Sequence, residues 1–250
     1  MQVELLEATP DAEEVICSAA RNDYLEDWIG DMGFEERMDA IDGETPDEQK
    51  ETLIGHLLDH GHFGPFEHPQ ATFAVKGISR SLMAQITRHR HATFDIQSMR
   101  YVSFEDADPE PGEAVVEIPE LGNTRIHGRN AEFDRSYRDS MTDDQIKEAR
   151  EEQYQRAIRR SFESYNQLLK LGVAPENARM VLPIGTKVNM VMSMNARMLM
   201  HVADMRAAAD SQWEIRNMTE KILDLAEDWC PITFEYYTKS LKGRKNRLAP

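Results

Sequence analysis

"KVNMVMSMNARMLMHVADMR", residues 187–206, carries two different periods back to back. From Lys187 to Met194, valine and methionine fall at 188, 190, 192 and 194, the alternation of a strand with one buried face. Asn195 is a good N-cap, and from there apolar residues recur at helical spacing to about Arg206. A strand therefore feeds directly into a Met-rich helix. Four polar side chains interrupt that helical stretch: Asn195, Arg197, His201 and Arg206. At 100° per residue, Arg197 and His201 share one face and Asn195 and Arg206 another. Two polar faces on one methionine-lined helix predict contact with two ligand groups, or with two sites in an oligomer.

Working outward, "EVICSAARNDY" (14–24) and "TPDEQKETLIGHLLDHGH" (45–62) read as helices. Thr45 is placed to cap the second, with Pro46 in its first turn, Glu48 at the capping-box position and Gly61 as its stop. "ATFAVKG" (71–77) alternates like a strand, and "SRSLMAQITRHR" (79–90) reads as a helix ending on cations. Residues 103–130, with "EDADPEPGE", read as an acidic loop or insertion. A long helix is expected from about Asp143 to Leu171, closed by Gly172, and a last one near Ser211–Trp229. No internal repeat is visible. Helices dominate and the strands are few and well separated, which favours α+β over a doubly wound parallel sheet.

Composition bounds the function. The 250 residues fit one domain, or at most two small ones, with ample length for a core. Hydrophobic residues make up 40% and charged residues 30%, the balance of a soluble globular protein. Cys17 and Cys230 lie too far apart for a disulfide framework or a zinc ribbon, which suits a reducing compartment. With no signal-like N-terminus and no apolar run of about 20 residues, a cytoplasmic protein is expected, without a membrane span. The formal net charge of −16 opposes nucleic acid and anionic membrane. Nine lysines against twenty arginines, under forty-five acids, suit adaptation to high salt; an acidic protein of an ordinary medium is the alternative reading.

Against that charge, "TRHRHATFDIQSMRY" (87–101) sets Arg88, His89 and Arg90 together, with Ser98 and Arg100 following. Arginine forks suit bidentate phosphate binding. A basic triplet is more often a solvated face, but this one follows the apolar "SLMAQIT" and precedes a Ser-x-Arg unit. A second such cluster spans Arg197 to Arg206. A site for phosphorylated ligands fits both. "HLLDHGHFGPFEH" (56–68) admits another chemistry: His56 and His60 at i,i+4, with His62, suggest a metallohydrolase. No H-E-x-x-H motif is present and Gly61 breaks the helix before His62, so no metal is expected.

Arg88-His89-Arg90, seven residues, then Ser98 resembles the R-H-R-x7-S signature of the flavin-dependent thymidylate synthases. "HGHFGPFEH" (60–68), "NARMVLP" (177–183), "NAR" (195–197) and "R…SQWEIR" (206–216) look like the family's other blocks, in order, and the resemblance spans most of 15–235. It implies one domain over 1–250 with a central, mostly antiparallel sheet flanked by helices. It also implies a homotetramer with active sites at subunit interfaces and FAD between chains. The implied reaction is methylation of dUMP to dTMP by methylenetetrahydrofolate, with NADPH reducing the flavin. By position, Gln85, Arg88, Gln97, Ser98, Met99, Arg100, Arg179 and Arg206 would contact dUMP. Gly64, Arg88, His89, Arg90, Asn195, Arg197 and His201 would contact FAD. Local arginines can prevail over the global charge because screening confines distant acids to roughly a Debye length, ~8 Å.

Neither cysteine has a cationic neighbourhood to lower its pKa, and no histidine is evidently placed to serve Ser98. Activation without covalent attack is therefore expected, with Arg206 stabilising the uracil N3/O4 anion and the reduced flavin, FADH2, supplying hydride. The chain departs from the family pattern in three places. Asp95-Ile96 stands where many members have Asn-Glu, Met99 where glycine often follows the serine, and Gly64 where a Ser or Thr contacts FAD.

Overall fold

The computed structural model describes residues 1–105, 107–119 and 140–243. Two compact units emerge: Met1–Lys76 with Leu82–Ile96 and Asn189–Pro250, and Gly77–Ser81 with Gln97–Val188. The class is α+β, as the spacing of the elements suggested.

Most of the sheet lies in the first unit, in the order β1 (Gln2–Ala8), β2 (Gln70–Ser79), β4 (Lys187–Asn195), β3 (Thr93–Ile96). β1 runs antiparallel to β2, with Leu5 opposite Phe73, and its register shifts between Leu5 and Glu7. β3 runs antiparallel to β4, with Phe94 opposite Met192. Between the central strands, the Thr72 and Ser193 hydroxyls meet at 2.8 Å. Met190, Met192 and Met194 of β4 are buried, as the alternation predicts; each such burial is worth roughly 1.5–3 kcal/mol against exposure. β1 and β3 were not anticipated. The shift within β1 breaks the two-residue repeat, and β3 is four residues long, too short to show one.

Helices α1 (Ala12–Asn22), α2 (Phe34–Met38) and α3 (Pro46–His60) come between β1 and β2. α3 starts on the expected capping box: Glu48 N–H donates to Thr45 Oγ1 and Thr45 N–H to Glu48 Oε2, both at 3.2 Å. Gly61 ends it at φ 74°, a left-handed conformation that favours glycine. α4 covers Arg80–Ile86, shorter than the expected 79–90. Thr87 N–H still donates to the Met83 carbonyl at 3.1 Å, but His89 N–H donates to that of Ile86 (3.1 Å), three residues back, so the backbone tightens into a turn after Ile86.

The second unit holds α5 (Asp143–Lys170) and the short α6 (Pro175–Ala178). α5 opens on a Thr142–Gln145 capping box. Asp106 and residues 120–130 of the expected acidic insertion lie outside the described residues. The remainder does more than coat the surface. Val115 is fully buried with Ile158 and Phe162 of α5, and Phe104, Tyr154 and Leu182 pack against them. Tyr154 Oη donates to the Val116 carbonyl at 2.8 Å, and Arg159 Nε to Glu110 at 3.0 Å.

α7 (Ala196–Arg206), α8 (Trp213–Trp229) and α9 (Pro231–Tyr236) complete the first unit. Asn195 caps α7 as expected, its Oδ1 accepting from Met198 N–H at 2.8 Å. Tyr237, just past α9, is tied to α7: its hydroxyl lies 2.6 Å from Asp204 Oδ1 and 3.0 Å from the Met200 carbonyl. No described helix is long and apolar enough to cross a membrane.

Candidate active site

The turn after α4 sorts the cationic trio by side-chain direction. Arg88 and Arg90 are exposed while His89 is buried. Neither arginine's side chain makes an ion pair or hydrogen bond with a described residue. In a chain of net charge −16, two exposed guanidiniums two positions apart, without a partner among the described residues, are a feature an anionic ligand would explain.

His89 meets α7. Arg206 Nε donates to His89 Nε2 at 3.0 Å, and Arg206 Nη2 lies 3.4 Å from the Gln85 carbonyl oxygen. The His201 ring stands edge-on to His89, centroids 5.9 Å apart. An accepting Nε2 requires the neutral imidazole. Burial first, then the charges of Arg206, His201 and Arg88, lower the His89 pKa to about 4. This corrects the expected sorting of the polar residues on α7, since His201 and Arg206 converge on one partner. Arg197 goes elsewhere, pairing with Glu67 and lying over the Phe63 ring at 5.8 Å. Asn195 spends its oxygen on the helix cap.

Glu67 ends the 3-10 turn Gly64–Glu67, so Arg197 and Gly64, both expected at the flavin, are brought to one place. A Cβ added at Gly64 would meet no atom within 4 Å. The residues present thus fit a flavin dinucleotide. Arg88 and Arg90 are unpaired cations for its phosphates, His89 and His201 are planar neighbours for its ring, and Gly64 leaves the backbone open to approach.

Gln97, Ser98, Met99, Arg100 and Arg179, the other nucleotide candidates, belong to the second unit. There Arg100 and Arg179 converge on Glu176: Arg100 Nε lies 3.6 Å from its carboxylate, and Arg179 Nε donates to its carbonyl at 3.0 Å. Ser98 Oγ accepts from Arg100 N–H at 3.3 Å, and no described imidazole hydrogen-bonds it. Met99 is buried, so the larger side chain at this departure packs inward. Glu67 and Glu176 were not singled out from the sequence, though each lies within or beside a recognised block. The His89–Arg206 pairing, 117 residues apart, had no local signal.

The remaining candidates are chemically quiet. Cys17 and Cys230 are fully buried. Burial pushes the Cys17 thiol up to about 12 and raises that of Cys230 as well. His56, His60 and His62 gather at centroid separations of 4.1, 6.3 and 6.2 Å. His60 Nδ1 lies 2.9 Å from the His56 carbonyl. Among the described residues, no set of three His, Cys, Asp or Glu side chains is arranged to hold a metal ion.

Residues 4–232 match the family model of the thymidylate synthase complementing protein. Flavin-dependent thymidylate synthase from Haloarcula marismortui is 63% identical and that from Halobacterium salinarum 55% identical, each aligned over 100% of both chains. In three dimensions the chain is similar to the UMP/dUMP methylase PolB of Streptomyces cacaoi, solved with 5-bromo-dUMP. The TM-score is 0.74 at 27% identity, covering 100% of this chain and 97% of the other. The chain belongs to the flavin-dependent thymidylate synthase family and is an enzyme, a methyltransferase with FAD as its cofactor.

Proposed function

We propose that the protein methylates dUMP to dTMP, with methylenetetrahydrofolate as carbon donor and NADPH as reductant of the flavin. The observation that carries this reading is the turn at 87–91: two exposed arginines, without an ion pair or hydrogen bond among the described residues, flank a buried neutral histidine that receives Arg206. The names of the relatives and the nucleotide bound by PolB support the same substrate class.

When bound, reduced FAD would supply the hydride; the chain would supply binding and polarisation. Gly64, Arg88, His89, Arg90, Asn195, Arg197 and His201 would hold the flavin. Arg88, Arg100 and Arg179 answer the nucleotide phosphate, with Gln85, Gln97, Ser98 and Met99 completing its surroundings. Arg206 is the catalytic cation. Its Nη1 donates to no described residue, and it stabilises negative charge developing over uracil N3 and O4, which raises nucleophilicity at C5. No side chain attacks C6: both thiols are buried with raised pKa values, and among the described residues no imidazole hydrogen-bonds Ser98. The assembly is a homotetramer of single-domain chains; the exposed Val191 and Met205, beside the flavin residues in sequence, suit coverage by another copy.

Ser98→Ala and Cys230→Ala test the mechanism. Both should still form dTMP; loss of synthesis by Ser98→Ala with dUMP binding intact would restore covalent catalysis. Competition between dUMP and UMP tests the substrate, with dUMP expected to be methylated preferentially.

A further inference from the structure

We propose that His89 is the positioning residue for Arg206: its unprotonated Nε2 holds the guanidinium so that one edge alone is offered to the uracil. The inference rests on the reading of Arg206 given above. Arg206 Nε and Nη2 form one side of the planar fork, and both are engaged, Nε by His89 at 3.0 Å and Nη2 by the Gln85 carbonyl at 3.4 Å. The remaining edge, led by Nη1, donates to no described residue. A guanidinium with one edge fixed cannot rotate about its stem to present the other, so the ligand meets a preset donor pair.

The acceptor's chemistry matters. A carboxylate at this place would neutralise Arg206 and compete with the developing uracil anion. A neutral imidazole fixes the direction and leaves the full positive charge for the substrate. The surroundings keep His89 neutral: it is 6% exposed and faces Arg206 and His201 from α7 and Arg88 from its own turn. Each of these disfavours a further proton. Protonation would remove the acceptor and set a second cation against Arg206.

Two measurements on the FAD-loaded enzyme decide the point. The first is independent of turnover. 15N spectra of the labelled imidazole should show His89 as the Nδ1–H tautomer with Nε2 unprotonated, and Arg206→Ala should shift the Nε2 resonance. An Nε2–H tautomer would overturn the pairing, whatever Arg206 does in catalysis. The second reads kcat for dTMP formation alongside FAD affinity. Glutamine places its amide oxygen near the position of Nε2 and does not titrate. His89→Gln should therefore keep kcat within about tenfold, whereas His89→Leu, which cannot accept, should lose about 10²-fold, the scale of a misplaced catalytic group. On the Arg206→Ala background, His89→Leu should cost little more, since the two act as a unit. Equal losses for Gln and Leu with FAD still bound, or additive losses in the double variant, would overturn the proposal. Normal turnover by Arg206→Ala would instead overturn the catalytic reading of Arg206 and leave the tautomer to judge the contact alone.

Discussion

Two guanidinium groups, Arg206 in the first unit and Arg100 in the second, are satisfied by opposite means. Arg206 meets a neutral imidazole and a backbone carbonyl. Arg100 meets the carboxylate of Glu176, whose carbonyl takes Arg179. The first arrangement fixes direction and keeps charge; the second spends charge on a partner the protein already carries. A cation that must respond to a transient anion gains from the first. One that need only retain a phosphate, a full and permanent charge, tolerates the second, because an exposed pair at 3.6 Å is worth only about 0–1 kcal/mol and exchanges easily.

The most severe way to break this contrast is Arg206→Ala. Removing one preorganised donor should lower kcat for dTMP by about 10²–10³, or roughly 3–4 kcal/mol. Flavin binding and NADPH oxidation should survive better. Lysine should rescue only in part, since a point charge cannot engage His89 and the ligand from separate edges. Near-normal synthesis of dTMP by Arg206→Ala would erase the difference between the two groups.

Acid sharpens the contrast from the protein's side. His89 has a pKa of about 4 folded, against 6.5 when unconstrained. Between these values the unfolded chain binds a proton that the folded chain refuses, so stability falls as pH drops from 6.5 towards 4. The loss from this residue is up to about 3 kcal/mol. His89→Gln should remove that part of the acid dependence in a chemical-denaturation series, and an unchanged slope would contradict the assignment.

Salt tests the coat around both groups. With 45 acidic against 29 basic residues, self-repulsion should be screened as KCl rises towards molar concentration. The melting temperature should climb by several degrees, about 1 kcal/mol or more in stability; a flat or falling trend would favour the ordinary acidic reading. The smallest effect belongs to Glu176→Gln. Freeing Arg100 should change the KM for dUMP by less than about tenfold with kcat unchanged, and a fall in kcat comparable with that of Arg206→Ala would show that the two groups are not distinct in kind.

Much of this was legible in the chain. The alternation at 188–194, the Asn195 cap and the Thr45–Glu48 box each express local chemistry, and each stands where the pattern put it. The cationic trio was legible as a site because its charge runs against its context. Its geometry was not. "SRSLMAQITRHR" has no glycine or proline, and α4 nevertheless stops at Ile86, where His89 N–H bonds back to Ile86 and its ring turns inward to a partner 117 residues away. Likewise, the helical wheel grouped His201 with Arg197, whereas the neighbours of α7 sent them to different partners. Periodicity describes an element by itself; which side chains meet depends on what packs beside it.

The irregularity in β1 has a consequence for life at high concentration. β1 is an edge of its sheet, a row of backbone groups that another chain could extend. Its register shifts between Leu5 and Glu7, and Glu4, Leu6 and Glu7 are exposed along it. The glutamates repel an incoming strand only while their charge is felt, and molar salt would mute them. The displaced register acts by shape, spoiling the straight ladder a neighbouring strand would need. In brine, where like charges stop keeping molecules apart, the shifted register at the exposed Leu6 would still guard this edge against cross-chain pairing.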